Sequence, residues 1–251
     1  MKEIEVQYDF FSTRLSDGVL IIDFKKNLLI QGTRLRNRDI FFSYLDSIES
    51  CDPVQVIIIR SYLEESGHRE YMAFFQSIKS GKSDLDLHRL CNMYALLILK
   101  IIGLNKIVIH ATSGNVISLF LNMSLACDYR IAADNTVFLN SFLAAGILPI
   151  GGGPFFLSKK IGSGKTYELL ALKKEYDASE AIQYGLIDKI VPFEDLESET
   201  LNVARQFQKV PAQTLKGLKQ LVNYSVKDLQ NYLEFEYQEI FKIVHNSAFR
   251  H

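Results

Sequence analysis

The stretch VQVIIIRS, Val54 to Ser61, constrains the fold of this chain more than any other. It is almost entirely apolar and β-branched, with no alternation of polar residues. A strand with one face in water alternates, because successive side chains point to opposite faces. An unbroken run of this kind reads as a strand covered on both sides, as in a parallel sheet between helices. KIVIHATSG, starting at Lys106, repeats the signature. Between the two lie ESGHREYMAFFQSIKSGKSD, a polar turn with a helical piece, and DLHRLCNMYALLILKII, a long buried helix.

The same alternation extends in both directions. GVLIIDF (Gly18 to Phe24) reads as a strand, and a helical pattern follows from about Arg38 to Ser50. CDYRIAAD and TVFLN supply two more strands, so the fold class is α/β with crossover connections. SGKTYELLALKKEYDASEAIQYGLI contains two helical stretches separated by a short loop. Asp177 or Ser179 is placed to cap the second, Gly185 to close it, and DKIVP to form a last short strand. From about Asp195 the pattern is helical and broken only near Val210–Pro211. We divide the chain into a core over 1–195 and a helical region over 196–251.

Composition excludes several classes. A chain of 251 residues, 48% hydrophobic and 23% charged, suits a single packed domain with an appendage. A net charge of −1 gives no electrostatic case for nucleic acid or an anionic membrane. Cys51, Cys91 and Cys127 are widely spaced and form neither a metal-ligand pattern nor a disulfide framework, so no metal is expected. Cys91 and Cys127 lie in apolar runs and read as buried small hydrophobes. YALLILKIIGLNKIVI is interrupted by Lys100, Gly103 and Lys106, which argues against a membrane span. MKEIEVQYDF lacks the apolar stretch of a signal peptide, so a cytoplasmic location is expected. GSGKT at 162–166 is not a P-loop, because Lys159 stands where that motif requires glycine.

Four words in this order, LACDYRIAADNTVF, GILPIGGG, YELLALKKEYDASEAIQYGLIDKIVP and VPAQTLKGLKQLV, resemble the crotonase (enoyl-CoA hydratase/isomerase) superfamily. The resemblance implies a ClpP-like spiral of repeated ββα units, with C-terminal helices that assemble trimers or dimers of trimers. It also implies enolate chemistry on an acyl thioester, carried by CoA or by the phosphopantetheine arm of an acyl-carrier protein, with no further cofactor. Two backbone N–H groups hold the thioester oxygen in that chemistry, each stabilising developing charge by about 3 kcal/mol.

Carried onto this chain, one donor falls on the N–H of His68, after Gly67 in SGHR. The other falls on Leu119, since the family's three glycines align with Ser118, Leu119 and Phe120. The two glutamates of family hydratases align with Asn122 and Phe142, neither of which is a carboxylate. Gly146 lies in the same pocket-forming segment. Loss of both carboxylates resembles the decarboxylases of polyketide β-branching, which form the enolate by releasing CO2. NSFLAAGILPIGGG, FLSKKIG and EFEYQEIFKIVH resemble that branch. The likeness nominates Lys82 as the group that orients the carboxylate and His245 as an acid. Lys26, Arg34, Arg36 and Lys216 are candidate contacts for the phosphate of the carrier.

Plainer readings stand beside these. His68 also reads as a surface histidine, Lys82 as a solvated loop lysine and His245 as a solvated helix residue. His88 and His110 abut apolar segments, where they would satisfy backbone groups. Asn122, inside an apolar helix, must find partners at the helix start or face a pocket. Three functions follow: a decarboxylating lyase on a glutaconyl-type thioester, a non-catalytic homologue serving as scaffold or thioester-binding subunit, and an atypical hydratase or isomerase.

Overall fold

The computed structural model describes residues 4–25, 31–61, 66–81 and 84–246. Nine strands form two sheets among these residues. The larger has the order β1-β2-β3-β4-β6-β9, from Phe11–Ser16, Val19–Phe24, Val56–Ser61, Ile107–Thr112, Tyr129–Ala133 and Lys189–Val191. Only β1 and β2 pair antiparallel in it. The smaller has the order β5-β7-β8, from Asn115–Ile117, Val137–Leu139 and Glu175–Asp177.

The helices are α1 (Leu35–Glu49), α2 (Ser66–Lys79), α3 (Asp84–Gly103), α4 (Ser118–Leu125), α5 (Ser141–Ala145), α6 (Gly153–Tyr167), α7 (Ala178–Gln183), α8 (Leu196–Gln208), α9 (Ala212–Asn223) and α10 (Leu229–Val244). β4-β5-α4 and β6-β7-α5 are successive ββα units. In each, the first strand joins the large sheet and the second the small one. That alternation is the physical form of the expected spiral.

VQVIIIRS behaves as its composition requires. Ile57 and Ile59 enter the main core, while Val56 and Ile58 enter a second core on the opposite face. α8 covers that second face with Leu196, Val203 and Ala204. The expected cap is present: Asp177 Oδ1 accepts from Glu180 N at 2.8 Å, and Gly185 ends the helix with φ of 67°.

Some expectations are corrected. SGHR is not a turn before a helix; Gly67 and His68 lie inside the first turn of α2. Between the two helical stretches after Pro149 stands a strand, β8, paired antiparallel with β7. The C-terminal helices break a second time, at the 3₁₀ turn Tyr224–Val226. They also pack on the chain's own core, with Leu229, Leu233, Ile240 and Val244 of α10 buried in it.

Candidate active site

Two helix starts define the candidate site. α4 is buried at all eight positions, and its N-cap residue, Ile117, has no side-chain bond to offer its first turn. Leu119 is the second residue of α4 and His68 the third of α2. The first four N–H groups of a helix lack intrahelical partners, so both nominated donors belong to that set. α4 follows β5 directly, and α2 packs against the same short strand.

The side chain of His68 does more than its sequence position indicates. Nδ1 lies 2.8 Å from Oγ of Ser141, the buried first residue of α5. Phe142 follows, 3% exposed and in the main core, at the position that the resemblance aligns with a hydratase carboxylate. Gly146 ends α5 in the left-handed region at φ of 68°. A side chain there would meet Lys79 Nζ at 3.7 Å, so the end of α2 also reaches this segment.

Asn122 is held from below. Its Nδ2 donates to the carbonyl of Ile150 at 2.8 Å. The glycine turn that follows presses on the amide, and a Cβ on Gly153 would sit 2.5 Å from Oδ1. Gly151 and Gly152 have φ of 95° and 75°, a conformation that suits glycine. Their N–H groups donate to Glu236 Oε1 and Oε2 at 2.7 and 2.9 Å. Burial raises the Glu236 carboxyl to about 7, against the two backbone donors, which lower it.

The other candidates sit on α9 and α10 or outside the described residues. His245 is fixed where α10 meets the start of α3, with Nε2 2.9 Å from Asp84 Oδ2 and Nδ1 2.9 Å from the Phe241 carbonyl. Lys216 is half-buried on α9. Lys26 and Lys82 lie outside the described residues.

His110 takes a side-chain partner rather than a backbone group: Nε2 is 2.8 Å from Ser61 Oγ. Burial and then the Arg130 charge lower its imidazole to about 3, so it is neutral. His88 sets its ring edge-on to Tyr237. Cys91 and Cys127 are buried, as composition implied. Among the described residues, no group of three or more His, Cys, Asp or Glu is arranged to hold a metal. No described helix is long and apolar enough to cross a membrane.

Ser141 and Glu236 are the groups at this site that sequence reasoning missed. Ser141 is 73 residues from His68 and Glu236 is 85 from Gly151. Neither pairing leaves a local pattern in the sequence.

The enoyl-CoA hydratase/isomerase family model matches residues 75–250. A trans-2-decenoyl-[acyl-carrier-protein] isomerase of Streptococcus mutans serotype c is 24% identical over 228 residues, covering 90% of this chain and 87% of that protein. The enoyl-CoA hydratase structure from Bacillus halodurans superposes with a TM-score of 0.84 at 22% identity, over 96% of this chain and 98% of that one. An enoyl-CoA hydratase structure from Mycobacterium avium subsp. paratuberculosis K-10 gives 0.79 at 18% identity, over 97% and 94%. The α/β architecture read from the sequence is thus the crotonase fold.

Proposed function

The chain belongs to the enoyl-CoA hydratase/isomerase family, and on that premise we propose that it binds an acyl thioester between the first turns of α2 and α4 and forms an enolate there. The N–H groups of His68 and Leu119 are the two donors to the thioester oxygen. The observation that carries this reading is their shared status as first-turn donors of helices packed on β5. Fixed donors in a water-poor site stabilise developing negative charge without reorganising at the moment of reaction.

The reaction follows from what is missing. Hydration needs a base on water and an acid at the α-carbon, and double-bond migration needs a base at carbon; the two aligned positions are an amide and a phenyl ring. Loss of CO2 delivers the enolate electron pair without a base, so decarboxylation of a glutaconyl-type thioester, a step of polyketide biosynthesis, is the favoured chemistry. Lys82 orients the leaving carboxylate, and Lys26 and Lys216 contact the phosphate of CoA or the acyl-carrier protein. The exposed Leu218, Leu221 and Val222 of α9 support assembly as a homotrimer or hexamer. Incubation with 3-methylglutaconyl-CoA, followed by mass spectrometry, should show loss of CO2 that Lys82→Ala abolishes. No turnover above blank sinks the lyase reading.

A non-catalytic, thioester-binding homologue is the second reading, favoured by one observation. Leu119 is 1% exposed, and its side chain belongs to the main core rather than leaving glycine's clearance. Stabilisation by acyl-CoA without turnover would support it. Isomerisation, the reaction in the name of the Streptococcus mutans relative, is the third and requires a base other than the aligned carboxylates.

A further inference from the structure

Even a decarboxylase must return a proton to carbon, and neither Asn122 nor Phe142 supplies one. We propose that the His68 imidazole, as distinct from its backbone N–H, is the proton-transfer group of this site, acting through Nε2, and that Ser141 is the residue that positions it. The inference rests on the thioester reading and adds to it a named acid.

Three observations converge on the ring. Nδ1 is tied to Ser141 Oγ at 2.8 Å, which fixes the ring plane relative to α5. Ser141 is buried and precedes Phe142, so the ring is anchored beside the position where family hydratases keep a carboxylate. His68 is half-buried, and its Nε2 has no partner among the described residues. One nitrogen is thus used for orientation while the other is left for chemistry.

The choice of partner matters. A serine hydroxyl both donates and accepts, so it holds the ring in either neutral tautomer and as imidazolium. A carboxylate in the same place could only accept, which would fix the proton on Nδ1 and favour imidazolium. The hydroxyl therefore lets Nε2 carry a proton before the transfer and lack it afterwards, without losing the orienting bond.

The bond to the departing carboxylate breaks, CO2 leaves, and its electron pair enters the enolate, whose oxygen lies between the two N–H donors. The enolate pair then forms a C–H bond with the proton on Nε2. The ring, imidazolium at the start, is left as neutral imidazole with its remaining proton on Nδ1 toward Ser141 Oγ, and it regains from solvent the one proton the reaction consumes.

The test uses the full chain with ¹⁵N-labelled histidine, acetoacetyl-CoA as binding probe and 3-methylglutaconyl-CoA as substrate. Wild type should bind acetoacetyl-CoA and shift the His68 ring ¹⁵N signals. His68→Gln should keep probe affinity within about threefold while decarboxylation falls by about 100-fold or more, the usual range for a lost general acid. Ser141→Ala should change the tautomer balance of His68 in the free protein, and Ser141→Thr should restore it, which a merely structural serine would not do.

Absence of both binding and turnover in wild type overturns the thioester reading and this inference with it. Binding without turnover overturns the lyase reading together with the inference; binding and turnover with unmoved His68 signals, or wild-type turnover by His68→Gln, overturns the inference alone.

Discussion

Asn122 and Gly153 fill one another's side-chain space: the amide of the first occupies the position where the second would carry a Cβ, 2.5 Å from Oδ1. The glycine turn can lie flat on α4 only because Gly153 is bare. Gly153→Ala should cost about 1–3 kcal/mol by overpacking. In an Asn122→Ala background that cost should shrink by at least about 1 kcal/mol, because the opposing amide is gone. Urea melts of the four proteins in the cycle measure this. Equal costs in both backgrounds would show that the clash is relieved elsewhere.

Two buried groups make opposing demands on pH. Glu236 is raised from 4.5 to about 7, so the folded state holds its proton more tightly than the unfolded chain. Its contribution is complete below about 4.5 and is lost as pH rises toward 7. His110 is lowered from 6.5 to about 3, so its contribution is complete above about 6.5 and is lost as pH falls. Between pH 5 and 6.5 the two slopes cancel in part. Glu236→Gln should therefore gain stability with rising pH relative to wild type, by about 1–2 kcal/mol over that window. His110→Gln should lose a similar amount. Denaturation at the two pH values decides it, and slopes of the same sign in both variants would contradict the assignment.

Lys219 ties α9 to the core. Its Nζ donates to Asp128 Oδ2 at 2.7 Å and to the carbonyls of Ile101 and Lys106 at 2.9 and 3.0 Å, with the side chain 3% exposed. Lys219→Met strands a carboxylate and two carbonyls, which should cost about 3–5 kcal/mol. Hydrogen exchange should quicken first in α9. A loss below about 1 kcal/mol would mean that Asp128 is satisfied without the lysine, its Oδ2 already accepting from Val108 N at 2.7 Å.

Leu119 tests access to the candidate site. Leu119→Gly removes a core side chain and should cost about 3–5 kcal/mol through cavity and helix effects. If the leucine obstructs the thioester, the variant should nonetheless bind acetoacetyl-CoA at least about tenfold more tightly, or about 1.4 kcal/mol. Calorimetry reads this directly. Unchanged or weaker binding would place the obstruction elsewhere.

What the sequence disclosed follows a physical rule. VQVIIIRS was legible because burial on both faces removes polar alternation, and Asp177 because a cap acts within three residues of itself. β1, FSTRLS, gave little signal, since its mixed residues owe their strand state to pairing with β2. β8 is three residues long and exists through β7. At the site, Leu119, Asn122 and Phe142 came through alignment of short words. The bonds from His68 to Ser141 and from Glu236 to the glycine turn join distant segments, and only the folded chain brings them together.

The bond from Glu236 to the glycine turn also sets an order of events. Gly151 and Gly152 are made long before residue 236, and their buried N–H groups take their partner from the last helix. Unpaired donors of this kind are costly to bury. Until α10 docks, the turn has reason to stay wet, and Asn122 has no firm floor. The floor of the candidate site is therefore a late product of folding. A ribosome-bound chain lacking its final helix should hold a formed sheet and an unfinished site.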